Sequence, residues 1–262
     1  GGQIFYSDDG TVFNNVQTGL LGQFDRVFLE TYAGDSNVLY VMMESATTGY
    51  ITAFAKTTDR GLNWTSITVP QDESGNPLGD YQGSMDYWGS LGIDPNNPDT
   101  IYAGAFTLFK SLDSGTTWTK ISEWVQNQSL PYVHADQHNI IFIDSNNILF
   151  TNDGGVFLTT DGGNTFSHRN TGFNTTQFYS TAIHPTSEYI LGGTQDNGTW
   201  KLPNPGIQVG TEVTGGDGGY VHIDQTDPSY QFSSYVYNRV YRSTNGGNSF
   251  GLWYDLQDNG SN

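Results

Sequence analysis

Apolar and polar residues alternate along this chain in short runs that end at Gly, Pro, Asn and Asp. Gln177-Phe-Tyr-Ser-Thr-Ala-Ile-His184, Tyr189-Ile-Leu-Gly-Gly193 and Thr199-Trp-Lys-Leu202 are three such runs, each of strand length. No long stretch repeats its apolar residues every 3.6 positions, so the pattern predicts an all-β protein with almost no helix. The turns between strands also repeat. Four versions of one eight-residue hairpin occur: Thr57-Thr-Asp-Arg-Gly-Leu-Asn-Trp64, Ser111-Leu-Asp-Ser-Gly-Thr-Thr-Trp118, Thr159-Thr-Asp-Gly-Gly-Asn-Thr-Phe166 and Ser243-Thr-Asn-Gly-Gly-Asn-Ser-Phe250. Each puts an Asp or Asn where its side chain can accept backbone N–H groups within the turn. Each also puts a Gly where φ must be positive and an aromatic where the chain re-enters the core.

The hairpins are spaced like structural repeats. Asp59, Asp113, Asp161 and Asn245 are separated by 54, 48 and 84 residues, the last being twice 42. Repeats of about 40–50 residues with four short strands mark propeller blades. The blade between Asp161 and Asn245 has lost its hairpin, and Pro203-Asn-Pro-Gly206 stands in its place. A second element keeps the same register between strands one and two: Gly92-Ile-Asp-Pro-Asn-Asn-Pro98, Phe142-Ile-Asp-Ser-Asn-Asn147, Ala182-Ile-His-Pro-Thr186 and His222-Ile-Asp-Gln-Thr-Asp-Pro228. Asp94, Asp144, His184 and Asp224 therefore read as turn-makers. The eight-residue hairpin resembles the Asp-box (BNR repeat) of sialidase-like and related secreted bacterial β-propellers. The run from His134 to Phe142 followed by Asp-Gly-Gly resembles such propellers in large secreted proteins of Bacteroidota. The expected fold is a β-propeller of four-stranded antiparallel blades, a single domain over residues 1–262. Five blades are complete and a partial one spans Ile4–Phe13 with its box-like Ser7-Asp-Asp-Gly10. An unfinished ring implies a segment of a longer chain, or an assembly in which further blades or a facing domain come from elsewhere.

The chain has a net charge of −18 and no cysteine. The charge excludes nucleic acid and anionic membrane surfaces as partners, because both would repel it. It suits a neutral polysaccharide, a cationic partner or calcium, although no EF-hand loop is present. No apolar run reaches transmembrane length and the first residues lack signal-peptide character, so a secreted protein would be represented here in mature or truncated form. The expected location is extracellular or at a cell surface.

Turns alternate between the two edges of a blade. The loops opposite the hairpins are 79–88, 132–138, 151–155, 193–198, 214–220 and 237–239, and they are rich in acids, His, amides and aromatics. Two carry a further resemblance. Asn152-Asp-Gly-Gly-Val-Phe157 and Gly216-Asp-Gly-Gly-Tyr-Val-His222 are similar to segments of xyloglucan-cleaving propeller hydrolases in which the Asp is a catalytic carboxylate. That resemblance implies Asp153 and Asp217 as an inverting acid/base pair, which works with its carboxyl groups about 6.5–9.5 Å apart. Plain turn chemistry, with the carboxylate capping its own backbone, accounts for Asp-Gly-Gly equally well. The candidate substrate contacts are His134, Asp136, His138, Gln195, Asp196, Tyr87, Trp88, Tyr220 and Arg239.

Other chemistries fit less well. His134 and His138 would lie about 13 Å apart on an extended strand, too far for one transition-metal ion without a bend. A sialidase needs several arginines around the substrate carboxylate, and only Arg26 and Arg239 fall away from the hairpins. The alternative to a hydrolase is a non-catalytic carbohydrate- or protein-binding propeller, an adhesin-like module, with aromatics such as Tyr87 and Trp88 stacking on sugar rings. No cofactor is required by either reading.

Overall fold

The computed structural model describes residues 2–20, 22–71, 75, 78, 88–172, 176–187, 189–203, 210–236 and 238–255. Among them there is no helix, and every regular element is an antiparallel strand. A two-stranded sheet of β1 (Phe5–Tyr6) and β2 (Asn14–Asn15) comes first. Five four-stranded sheets follow in meander order. The first blade holds β3 (Phe24–Thr31), β4 (Leu39–Ser45), β5 (Ile51–Thr57) and β6 (Thr65–Ile67). The second holds β7 (Ser90–Ile93), β8 (Ile101–Gly104), β9 (Leu108–Ser111) and β10 (Thr119–Lys120). The third holds β11 (Gln137–Phe142), β12 (Ile148–Asn152), β13 (Gly155–Thr159) and β14 (Ser167–His168). The fourth holds β15 (Phe178–Ile183), β16 (Ile190–Thr194), β17 (Thr199–Leu202) and β18 (Thr211–Thr214). The fifth holds β19 (Val221–Ile223), β20 (Gln231–Tyr235), β21 (Arg239–Ser243) and β22 (Gly251–Asp255). The fold is a β-propeller of five complete blades and a partial one, as the repeat spacing predicts. Residues 204–206, where the missing hairpin was expected, lie outside the described residues.

The four hairpins share one hydrogen-bond net. The first residue's hydroxyl donates to the acid or amide two positions on: Thr57 to Asp59 (2.7 Å), Ser111 to Asp113 (2.8 Å), Thr159 to Asp161 (2.8 Å) and Ser243 to Asn245 (2.9 Å). The same hydroxyl accepts the N–H of Gly61, Gly115, Gly163 or Gly247. The Asp or Asn then accepts the N–H four residues on, from Asn63, Thr117, Thr165 or Ser249. The strand one-to-two turns sit on the same blade edge, since the fourth hairpin residue donates its N–H to them: Arg60 to Asn37, Ser114 to Asp99, Gly162 to Asn146 and Gly246 to Ser229. Asp94, Asp144 and Asp224 accept backbone N–H groups in those turns, and His184 does the same through Nδ1.

The chain divides into two compact units, residues 1–170 and 171–262. In the first, the core lies between successive blades. Tyr40, Met42 and Phe54 pack with Leu91, Ile93 and Ile101, while Tyr102 and Leu108 pack with Ile140, Ile148 and Phe150. Trp64 is buried against Ile4 and Val16 of the partial blade and donates its indole N–H to Val16 O (2.7 Å). Trp118 and Phe166 are half-buried against the inter-blade clusters. In the second unit Tyr189, Leu191, Val221 and Ile223 form the core, with Phe250 packed on it.

A Tyr and a Lys reach from one blade to the next at three junctions within the units. Tyr40 donates to Pro98 O and Lys56 to Ser114 Oγ; Tyr102 and Lys110 both donate to Gly162 O; Lys201 donates to Gly246 O. Each ammonium also lies 4.4–5.3 Å from its Tyr ring centroid, within cation–π range.

Candidate functional site

In the first unit, Asn152 pairs with Gly155 and leaves Asp153-Gly154 as the tip of a two-residue turn. Three contacts fix this tip. Gly154 N–H donates to Asn152 Oδ1 (3.1 Å), Asn170 Nδ2 donates to Gly154 O (2.7 Å), and Asn170 Oδ1 accepts the Val156 N–H (2.8 Å). A Cβ on Gly154 would lie 2.4 Å from His134 Cγ, so the glycine lets that imidazole rest on the turn. His138 Nε2 donates to Asp153 Oδ1 at 2.5 Å. Carboxylate oxygens of Asp136 and Asp153 lie within 4.8 Å of one another. Asp136 adopts the left-handed conformation (φ 63°), which Asp tolerates better than most residues. The first unit therefore gathers His134, Asp136, His138 and Asp153 on the blade edge opposite the hairpins.

Gln137, which the sequence did not single out, anchors this cluster. It is fully buried; its N–H donates to Ala105 O (2.9 Å), its carbonyl accepts from Gly89 N (2.7 Å), and its amide donates to His134 O. A lone Gln among His and Asp gives no pattern by which to recognise such a pillar.

In the second unit, residues 195–198 turn between β16 and β17 with Asp196 left-handed (φ 58°). The segment 216–219 runs alongside: Gly198 N–H donates to Gly216 O and Gly218 N–H to Thr194 O. A Cβ on Gly218 would come within 2.1 Å of Gly198 O, so glycine here serves close backbone approach. Asp217 Oδ1 accepts the Asp196 N–H (3.1 Å), a capping role across to the neighbouring turn rather than on its own backbone. Gln195 donates its N–H to Gln177 O (3.0 Å), and Tyr220 is 78 % exposed beside this loop. Tyr179, also absent from the expectations, is 48 % exposed. Burial, then the charges of Asp217 and Asp196, hold its phenol above the ordinary tyrosine range.

The other candidates lie elsewhere. Trp88, expected to meet a sugar, is only 7 % exposed and stacks edge-on against Phe106 in the core between the first two blades. An indole buried there has no face left for a ligand. Arg239 pairs with Asp255 (2.9 Å) across β21 and β22. Tyr87 lies outside the described residues.

No protein-family model matches the chain. It is 35% identical over 75 residues to a xyloglucanase of a Paenibacillus species, a match covering 28% of this chain and 7% of that protein. It is 30% identical over 96 residues to xyloglucanase Xgh74A of Acetivibrio thermocellus, covering 34% of this chain and 11% of the relative. The matched segments thus span about a tenth of these relatives' length or less. Among solved structures, the GH74 enzyme of Niastella koreensis aligns at 20% identity and a TM-score of 0.42, over 86% of this chain and 37% of that one. YCF48 of Cyanidioschyzon merolae aligns at 13% identity and a TM-score of 0.40, over 88% and 73%.

Proposed function

We propose that this chain belongs to an extracellular or cell-surface propeller that binds a neutral polysaccharide of the β-glucan class and cleaves it by carboxylate acid–base chemistry. The reading is carried by the 35% identity to a xyloglucanase over 75 residues. The locked turn adds to it by holding Asp153 with His138 on Oδ1. General acid–base catalysis gains from a carboxyl group whose position is fixed before substrate arrives. Asp153 and Asp217 are the carboxylates assigned to the reaction. The test is hydrolysis of xyloglucan by the unmodified chain and by Asp153→Asn and Asp217→Asn. Each substitution is expected to abolish cleavage and leave glycan binding within about twofold, because shape is kept and proton transfer is lost. Cleavage that survives both substitutions would end the assignment.

One observation favours a non-catalytic binding propeller as the second reading. Both carboxylates already accept a hydrogen bond within the protein, Asp153 from His138 and Asp217 from the Asp196 N–H. On that reading the unmodified protein binds glycan and cuts none. Asp217→Asn then leaves thermal stability nearly unchanged, because the amide oxygen still accepts the Asp196 N–H.

A further inference from the structure

We propose that Tyr179 and Tyr220 form an aromatic seat for a neutral saccharide on the second unit, with Asp196 and Asp217 receiving the hydroxyl groups of the seated sugar. The inference rests on the carbohydrate reading above and assigns it a place and a residue, Tyr179, that the motif resemblance does not reach.

The seat is built at the junction of two inner strands. Ser180 Oγ accepts the Val221 N–H (3.4 Å), which ties the start of β15 to the start of β19. The residues immediately before each partner are Tyr179 and Tyr220, so two large aromatics flank one inter-strand bond. They are exposed by 48 % and 78 %. Single exposed aromatics are ordinary on a protein surface, but a pair at one junction beside two carboxylates is a specific arrangement. The backbone beneath is closely packed. Tyr220 N–H donates to Ser234 Oγ (2.7 Å), Gly219 N–H donates to Ser234 O (2.8 Å), and a Cβ on Gly193 would fall 1.8 Å from Gly219 O. A loop held this tightly presents Tyr220 without a large ordering cost on binding.

The surrounding groups select the class of ligand. Aromatic faces attract the C–H faces of a sugar ring, while carboxylates accept its hydroxyl protons. Asp196 and Asp217 would repel a uronic or sialic acid, and the chain's net charge of −18 adds to that repulsion.

The test is binding of xyloglucan oligosaccharide, cellohexaose and polygalacturonate to the 262-residue chain by isothermal titration calorimetry. Tyr179→Ala, Tyr179→Leu, Tyr179→Phe and Tyr220→Ala are the variants, with Tyr254→Ala as an exposed-aromatic control on β22. Loss of one stacking ring is expected to weaken neutral-glycan binding about three- to tenfold in the Ala and Leu variants, with Tyr179→Phe near the unmodified value. Polygalacturonate is expected not to bind. Tyr179→Leu fills the volume without an aromatic face, so a folded Leu variant of unchanged affinity overturns the inference even where the Ala variant unfolds. An equal loss on Tyr254→Ala, or preferred binding of the polyanion, overturns it too. Failure of the unmodified chain to bind any neutral glycan overturns the carbohydrate reading itself and this seat with it. Binding that ignores residue 179 removes the seat alone.

Discussion

The two compact units are built from the same blade and differ in how much of the repeat each keeps. In the first, all three complete blades carry the Ser/Thr-x-Asp hairpin, and the inner strand β7 is buried at every position. In the second, one blade has Asn245 in place of the acid and the other has lost the hairpin, and no residue of the inner strand β15 is fully buried. The largest fully buried side chains concentrate in the first unit. Tyr40, Met42, Phe54, Tyr102 and Phe150 are all within 1 % of complete burial, whereas among the described residues the second unit's core consists of Tyr189, Leu191, Val221 and Ile223. The first unit presents a polar His and Asp cluster on one blade edge, while the second exposes Tyr179 and Tyr220 near Asp196 and Asp217.

The sharpest test of this contrast is the hairpin aromatic. Trp64→Ala removes a buried indole and its bond to Val16 O, and should destabilise the first unit by about 3–5 kcal/mol. Phe250→Ala removes a half-buried ring from the smaller cluster and should cost the second unit roughly half as much. Residue-resolved hydrogen exchange under native conditions reads both, because protection should fall in the strands of the altered unit. Equal losses would mean that the two cores are equally deep despite their unequal burial.

A smaller effect is expected at the inter-blade Lys. Lys110→Met keeps most of the aliphatic stem over Tyr102 and removes the ammonium that bonds Gly162 O; the Tyr102 hydroxyl still satisfies that carbonyl. Lys201→Met leaves Gly246 O, among the described residues, with the Tyr189 hydroxyl at 3.5 Å, the limit of a useful hydrogen bond. The second change should therefore cost more, about 1–2 kcal/mol against about 0.5 kcal/mol for the first. Denaturant midpoints of the two variants check the order.

How much of this was legible in the sequence depended on whether the determinant repeats. The hairpins, the Asp and His turn-makers and the strands of the fourth blade could be read because local hydrogen bonds dictate them, and each copy corroborates the others. The Tyr–Lys joint also left a trace, in Lys56 and Lys110 immediately before two hairpins, but a single Lys on a strand looks like an ordinary solvated side chain. Trp88 was misplaced because an aromatic next to a polar loop has the same local signature whether it faces solvent or the neighbouring blade. Tyr179 and Gln137 were missed for a related reason: their surroundings include backbone of a neighbouring blade, tens of residues away. In the loops opposite the hairpins, sequence could mark the acids but could not say that His138 would engage Asp153 or that Asp217 would cap residue 196.

The smallest effect separates the units by acidity. Hydrogen bonds from the Thr165 hydroxyl and N–H, with that of Thr159, hold the Asp161 carboxyl at about 2; Asp113 and Asp59 are lowered by the equivalent bonds, chiefly from Thr117 and Asn63. An unfolded Asp titrates near 3.9. A folded-state value below the unfolded one contributes stability that is fully present above about pH 4 and is lost as pH falls through the folded value, near 2 for Asp161. Asn245 makes the same bonds to Ser243 and Ser249 without a titrating group, so its hairpin has no such window. In an acid titration followed by amide NMR, the N–H signal of Thr165 should move between about pH 4 and 2, and those of Thr117 and Asn63 should move below about pH 4, while that of Ser249 stays in place. Asp161→Asn should make Thr165 behave like Ser249. Movement of the Ser249 signal in step with the others before global unfolding would show that the acid response belongs to the whole fold and not to the three ionised hairpins.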